Sequence, residues 1–433
     1  MSVNVVGAGL AGCEAAWQLA NRNISVNLYE MKPQKMSAAH VSTDFAELVC
    51  SNSLRSNELT NAAGLLKEEM RRLGSIIMMC ADETRVPAGS ALAVDRQRFS
   101  SMITKKLKEH LYINVIEREV TEIPEGRVII ATGPLTSDAL AAVIAALLPR
   151  ESLLSFFDSA APIVTFESVD MQNAYYASRY DKGDADYINC PLSREGYKAF
   201  YDELVMAKEV PVHDFEEHLV FEGCMPIEVM ARRGVDTMRY GPLKPVGLRD
   251  PKTGKEPYAV VQLRKDNIEG TLYNLVGFQT HLKFSEQKRV FSMIPALHEA
   301  DFVRFGVMHR NTYLDSPQIL DRYNRLRTDP RISFAGQITG VEGYIESAAS
   351  GMLTGIETAH ELLGLPPVDF SNDTAIGALA LYTSGGAVSK FQPMNINFGL
   401  IRPLERRVKG KRNKNLAISE RALWTIDNLQ CEG

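Results

Sequence analysis

An α/β fold is what the sequence predicts, with a parallel sheet assembled from both ends of the chain and a mixed α+β domain inserted between them. Three observations predict it. The first thirty residues read as strand, glycine turn, helix and strand, and a second strand, glycine-rich bend and helix return at about 332–363. Between about 148 and 327 the pattern changes to short mixed elements rich in Tyr and Asp. The expected division is therefore 1–147, an inserted substrate domain at 148–327, and 328–433, where the first fold resumes and ends in a basic segment.

The N-terminal unit carries the strongest signal. Val3-Asn4-Val5-Val6 runs into Gly7, Ala8, Gly9, Leu10, Ala11 and Gly12, followed by a helix through Ala15, Ala16, Leu19 and Ala20 and a strand that ends at Glu30. Gly7 permits the tight turn out of the strand, Gly9 lets backbone approach a pyrophosphate, and Gly12 lets helix and strand pack closely. A pyrophosphate would then meet free N–H groups at the positive end of the helix dipole. Glu30 stands where a carboxylate accepts the hydroxyls of an adenosine ribose; a 2′-phosphate would be repelled there. The unit opens the chain, as it does in FAD enzymes of the glutathione-reductase class, and the expected fold is a glutathione-reductase-like FAD-binding Rossmann domain.

Composition narrows the class. With 45% hydrophobic and 23% charged residues the chain suits a globular enzyme with a large core. Neither a run of about twenty apolar residues nor a signal peptide is found, so no membrane partner is expected and the cytoplasm is the expected location. The six cysteines, Cys13, Cys50, Cys80, Cys190, Cys224 and Cys431, lack C-x-x-C spacing, so neither a disulfide framework nor a metal site is expected. A net charge of −5 leaves nucleic-acid binding to local basic patches.

In chain order, Glu47-Leu48-Val49-Cys50-Ser51-Asn52-Ser53 and the residues to Asn57 read as a structured loop, because Ser and Asn compete with helix through local hydrogen bonds. Cys50 within it would be partly exposed, with a small buried hydrophobe as the competing reading. Ala62 to Leu73 reads as an amphipathic helix, Leu65, Leu66, Met70 and Leu73 facing inward and Lys67, Glu68, Arg71 and Arg72 outward. Asp95 caps a helix to His110, and strands follow at Ile113–Ile123 and Arg127–Thr132. The strand end at Thr132 and Gly133 resembles the segment beside the FAD pyrophosphate in two-dinucleotide-domain flavoproteins.

Inside the insertion, Phe221-Glu222-Gly223-Cys224-Met225-Pro226 places Cys224 in a turn, where a thiol can be presented to a substrate. Gly277–His281 and Met308–Asn311 would line an anionic or heteroaromatic site, or hold structural histidines. The chain then returns to a buried strand ending at Gly336 and Gln337, with Gly340, Gly343 and Tyr344 opening a helix from Ile345 to about Leu363 that Pro366-Pro367 would stop. This second helix N-terminus would face the flavin end of the same FAD. Near the C-terminus Arg402, Arg406, Arg407, Lys409, Lys411, Arg412 and Lys414 stand against one acid, Glu405. Such a run is either solvated surface or an RNA contact.

Taken together, the N-terminal glycines, both cysteine motifs, Val307–Asn311 and Gly336–Tyr344 resemble the family of bacterial folate- and FAD-dependent tRNA uracil-5-methyltransferases over nearly the whole chain. The resemblance implies 5,10-methylenetetrahydrofolate as carbon donor, NAD(P)H as electron source through FAD, and the T-loop uridine of tRNA as target. It implies Cys224 as the nucleophile at uracil C6 and Cys50 as base or flavin-side partner, with the exchange of roles open, and Arg402, Arg406, Arg407, Lys409, Lys411 and Arg412 as RNA contacts. A paralogue acting on ribosomal RNA, a flavoprotein working with a partner enzyme, and an FAD-dependent oxidoreductase of a small molecule remain open from sequence.

Overall fold

The computed structural model describes the chain apart from residues 1, 38, 150–151, 160, 182–183, 211–224, 307, 386–390 and 430–433, and gives backbone only for 153–159, 181 and 308–311. Its first strand, β1 (Ser2–Val6), leads into helix α1 (Leu10–Ala20) and strand β2 (Ser25–Glu30). β1 lies parallel to β2, Val6 opposite Tyr29, and on its other side parallel to Arg127–Ile130, Val6 opposite Ile130. The sheet extends to Ile113–Glu117 beyond β2 and to Asp329–Phe334 beyond Arg127–Ile130, with Arg325–Leu326 added antiparallel at the edge. Strands from both ends of the chain therefore build one parallel sheet, buried on both faces as parallel sheets require.

Close approach of two helices fixes the geometry over this sheet. A Cβ on Gly12 would come within 1.8 Å of the Gly7 carbonyl oxygen, so α1 seats on the turn only because that side chain is absent. The long helix Tyr344–Leu363 packs along α1, where Cβ atoms on Gly351 and Gly355 would meet the carbonyls of Ala11 and Ala15 at 2.1 and 2.8 Å. Its residues from Ile345 to His360 are buried throughout, which explains its small, mostly uncharged composition. Gly364, at φ +69°, ends it in a left-handed cap two residues before the prolines that were expected to do so.

Beside the main sheet, Ser53–Ser56, Ala91–Val94 and Arg85–Val86 form a small antiparallel sheet, so part of the expected Glu47–Asn57 loop is strand. The helix Ala62–Arg72 forms with Leu65, Leu66 and Met70 buried, but Lys67, assigned to the polar face, is fully buried and Leu73 is only partly covered. Lys67 Nζ donates to the carbonyls of Leu54 at 2.8 Å and Ser56 at 2.7 Å, tying that helix to the small sheet. Asp95 caps Arg96–Lys108 by accepting the Arg98 N–H at 2.9 Å. The strands at 113 and 127 stop at Glu117 and Ile130, earlier than their apolar content suggests.

Antiparallel strands Leu153–Ser159 and Met308–Leu314 carry the chain out of this body and back. Between them a six-stranded antiparallel sheet runs in the order Tyr175–Ala177, Tyr187–Leu192, Ala259–Lys265, Leu272–Leu275, Ile163–Thr165 and Phe302–Arg304. Its buried face packs on helices Arg194–Met206 and Phe284–Phe291 through Tyr197, Phe200, Phe278 and Phe291, a core separate from that of the parallel sheet. No helix of the described residues is long and apolar enough to cross a membrane.

Candidate active site

The glycine turn opens onto a cleft lined by Gly7, Ala8, Gly9, Glu30, Lys32, His40, Glu47, Arg118 and Thr132 among others. Gly7 takes φ +98°, and a Cβ there would strike the Ala131 carbonyl at 2.7 Å. A Cβ on Gly9 would meet nothing within 4 Å, so the requirement at that position comes from what approaches the backbone rather than from the fold. Gly9 is the N-cap of α1 and no side chain caps it, which leaves amides directed into the cleft. Beside the turn, at the end of β2, Glu30 accepts the N–H groups of Ala8 at 2.9 Å and Lys32 at 3.0 Å, leaving acceptor capacity for ribose hydroxyls. The cradle fits a dinucleotide pyrophosphate.

Leu10, Ala11 and Gly12 form the first turn of α1 behind this cleft. Gly336, at φ +85°, lies so close to that turn that a Cβ would come within 2.7 Å of the Ala11 Cβ. Gln337 donates to Glu342 at 2.7 Å, and Gly340 and Gly343, at φ +82° and +112°, bring the chain to the start of the long helix. The two glycine-rich segments therefore stand side by side. Thr132 lines the cleft, its hydroxyl 2.6 Å from that of Thr136, and Gly133 follows it at φ +67°.

Cys50 meets this arrangement from the other side. The Tyr344 hydroxyl accepts the N–H of Cys50 at 2.7 Å and of Ser51 at 3.2 Å. Burial holds the Tyr344 phenol well above its ordinary pKa, followed in weight by the nearby Cys50, so the ring stays neutral. From the insertion, Arg264 donates to Asn52 Oδ1 at 2.9 Å and Ser51 Oγ at 2.6 Å, while Asn52 donates to the carbonyls of Val94 and Lys265 at 3.0 and 2.7 Å. Arg96 bridges the Leu48 carbonyl at 2.5 Å and Asp266 at 2.9 Å. Both bodies thus grip the turn that carries Cys50.

Among the described cysteines only Cys50 is reached by solvent. Burial raises the thiols of Cys13 and Cys190 and pushes Cys80 up to about 12, which makes them inert packing groups. Cys224 and the three residues before it, with Cys431, lie outside the described residues, as do the side chains of His309, Arg310 and Asn311; Met225, which closes the motif with Pro226, is buried, and Pro226 precedes the helix Ile227–Arg232. His281 is buried, its N–H donating to Glu228 at 2.6 Å, and burial lowers its ring to about 4, so it belongs to the core of the insertion. Of the basic segment, Arg402 forks onto Asp373 at 2.6 and 2.7 Å, which spends the charge assigned to RNA. Arg406, Arg407, Lys409, Lys411, Arg412 and Lys414 are exposed, the last three in the first turn of the helix Lys411–Asp427.

The model of the glucose inhibited division protein A family matches residues 2–366. The chain belongs to this family. Within it, the chain is 60% identical to methylenetetrahydrofolate–tRNA-(uracil-5-)-methyltransferase TrmFO of Acetivibrio thermocellus, over 97% of each chain. It is 58% identical to the enzyme of the same name from Bacillus licheniformis, over 99% of this chain and 98% of that one. The solved structure of Aquifex aeolicus GidA in its form II crystal superposes with a TM-score of 0.70 at 15% identity, covering 98% of this chain and 73% of that one. That likeness establishes the family's fold. Residues that sequence reading missed are Arg96, Arg264 and Asp266, each contributed from far along the chain with no motif around it.

Proposed function

We propose that the protein is a folate- and FAD-dependent RNA methyltransferase that forms 5-methyluridine in the T-loop of tRNA. The observation that carries this reading is the 58–60% identity, over nearly full length, to two enzymes so named. When bound, FAD would supply the redox chemistry by which a one-carbon unit from 5,10-methylenetetrahydrofolate, at the formaldehyde oxidation level, becomes a methyl group, with NAD(P)H as the source of electrons. Gly7, Gly9 and Glu30 would hold its pyrophosphate and ribose, and the Gly336–Tyr344 segment would border its other end.

Uracil C5 attacks carbon poorly until a thiolate adds at C6 and makes C5 an enolate carbon. A base must then remove the C5 proton. We assign the addition to Cys224 and the proton to Cys50, whose turn is held against Tyr344 at the start of the flavin-side helix. The domain at 148–327 presents the target base, which must leave its stack at a cost of roughly a few kcal/mol. Arg406, Arg407, Lys409, Lys411 and Arg412 contact phosphates. Three cations in the first turn of a helix oppose its dipole, a local cost that an RNA phosphate would relieve.

The test is to incubate the purified chain with unmodified tRNA and, separately, ribosomal RNA, supplying folate donor and NAD(P)H, and to map the product by nuclease digestion and mass spectrometry. Methyl at the T-loop uridine of tRNA alone is expected. Methylation confined to ribosomal RNA, or none without a second protein, contradicts the reading.

A further inference from the structure

Ser51, next to Cys50, is held from two sides by distant parts of the chain. Its N–H, with that of Cys50, is accepted by the Tyr344 hydroxyl at the start of the long helix. Its Oγ accepts Nη2 of Arg264 at 2.6 Å and the N–H of Ser53 at 3.1 Å. Arg264 is buried and reaches the turn from the inner strand Ala259–Lys265 of the insertion, and its Nε donates at 2.9 Å to Oδ1 of the following residue, Asn52. Two neighbouring donors of one planar guanidinium thus fall on two successive residues of the turn. Such a fork fixes orientation as well as position, which a single ammonium cannot do.

Asn52 completes the joint. It is fully buried, and while Oδ1 accepts from Arg264, Nδ2 donates to the carbonyl of Val94 in the small sheet at 3.0 Å and to that of Lys265 in the insertion at 2.7 Å. The Val94 N–H returns to the Asn52 carbonyl at 3.0 Å. Farther along the same hairpin, Ile268 N–H donates to Asp95 at 3.0 Å and Glu269 pairs with Arg98, both at the start of the helix Arg96–Lys108. Those two bonds dock the insertion without involving Ser51 or Asn52. Docking and the placement of Cys50 are joined at Arg264, because a shift of its strand moves the acceptors on both residues that follow the cysteine.

We propose that Arg264 is a positioning residue for Cys50, passing the seating of the inserted domain to the thiol through Ser51 and Asn52. The inference rests on the reading of Cys50 as the base, and its test separates the two. Arg264→Lys keeps the charge and loses the fork, Ser51→Ala removes one of its two acceptors, and Glu269→Gln frees the exposed tip of the same hairpin without touching the turn. Each is assayed for methyl transfer at varied tRNA concentration, for flavin content and NAD(P)H oxidation, and, without RNA or folate, for amide hydrogen exchange in the peptide spanning Cys50.

In Arg264→Lys kcat for methyl transfer should fall about a hundredfold, the scale of a small misplacement at a reacting group, with KM for tRNA, flavin content and NAD(P)H oxidation unchanged. The Cys50 peptide should exchange faster, since the turn keeps only part of its hold. Ser51→Ala should show a smaller loss of the same kind, and Glu269→Gln should behave as wild type. Wild-type kcat in Arg264→Lys, a loss confined to KM, or an equal loss in Glu269→Gln overturns the proposal. Where Arg264→Lys loses flavin or unfolds early, Ser51→Ala decides on the same measures. Full methyl transfer in Cys50→Ala would remove the reading of Cys50 as base and leave the exchange rates to decide: faster exchange in Arg264→Lys alone upholds the positioning, and unchanged exchange overturns it.

Discussion

Gly9 and Gly12, three residues apart, are glycine for different reasons, and substitution separates them. Gly9→Val places its side chain in open space, so the protein should fold with near-normal stability and purify without flavin. Gly12→Ala drives a Cβ to 1.8 Å from the Gly7 carbonyl, and an overpacking cost of about 1–3 kcal/mol or more should appear in denaturant unfolding. Normal flavin content in Gly9→Val would sink the dinucleotide assignment. Cys50→Ala should lower methyl transfer by about a hundredfold or more, the scale of a lost base, while NAD(P)H oxidation continues. In Tyr344→Phe the N–H groups of Cys50 and Ser51 lose their acceptor, and stability should drop by roughly 1–3 kcal/mol.

At the level of elements, carboxyl groups are spent inside the protein, Glu14, Glu69 and Glu357 among them. Glu69 accepts the first N–H groups of the helix Ala375–Ser384, at 2.7 Å from Ala375 and 3.0 Å from Ile376. Burial raises it to about 8, and raises Glu14 and Glu357 to about 7. A carboxyl that keeps its proton when folded and loses it when unfolded makes the native state bind more protons, so stability must fall as pH rises between the two values. Unfolding free energy should therefore decline from about pH 4.5 to 8, and Glu14→Gln should remove about one proton from that slope. A slope unchanged in Glu14→Gln would show that this carboxyl is ionised in the folded state. These elements also show what sequence conveys. The N-terminal βαβ unit was legible because strand, turn and helix there are decided by neighbours in the chain. Lys67 was misplaced because its partners, the Leu54 and Ser56 carbonyls, belong to a strand that only tertiary packing brings beneath its helix.

Across the whole molecule, the basic segment is docked on the same body as the Cys50 turn: Asn415 donates to the Thr60 carbonyl at 2.9 Å and Ser419 to that of Leu59 at 2.6 Å. Reversing Arg406, Arg407 and Lys411 to Glu should weaken RNA binding and flatten its salt dependence, each lost phosphate contact lowering the log–log slope by about one. An unaltered slope would return the segment to solvated surface. Arg402, paired with Asp373, should contribute little to that slope. The run of cations was visible in the sequence, but this pairing across 29 positions was not. Distance along the chain likewise hides the grip of Arg264 on the Cys50 turn and the pairing of Asp266 with Arg96, because only tertiary packing brings the insertion's strand Ala259–Lys265 and the residue after it to that turn.

A flavin serves methylation only where the incoming carbon must be reduced, and S-adenosylmethionine already carries a finished methyl group. Redox chemistry in the service of carbon transfer is therefore the central claim, and the source of the carbon tests it most directly. Unmodified tRNA transcript, incubated with the enzyme and NAD(P)H, should gain label from 5,10-methylenetetrahydrofolate labelled in its methylene and none from methyl-labelled S-adenosylmethionine. Label from S-adenosylmethionine, or none from the folate, would contradict the account.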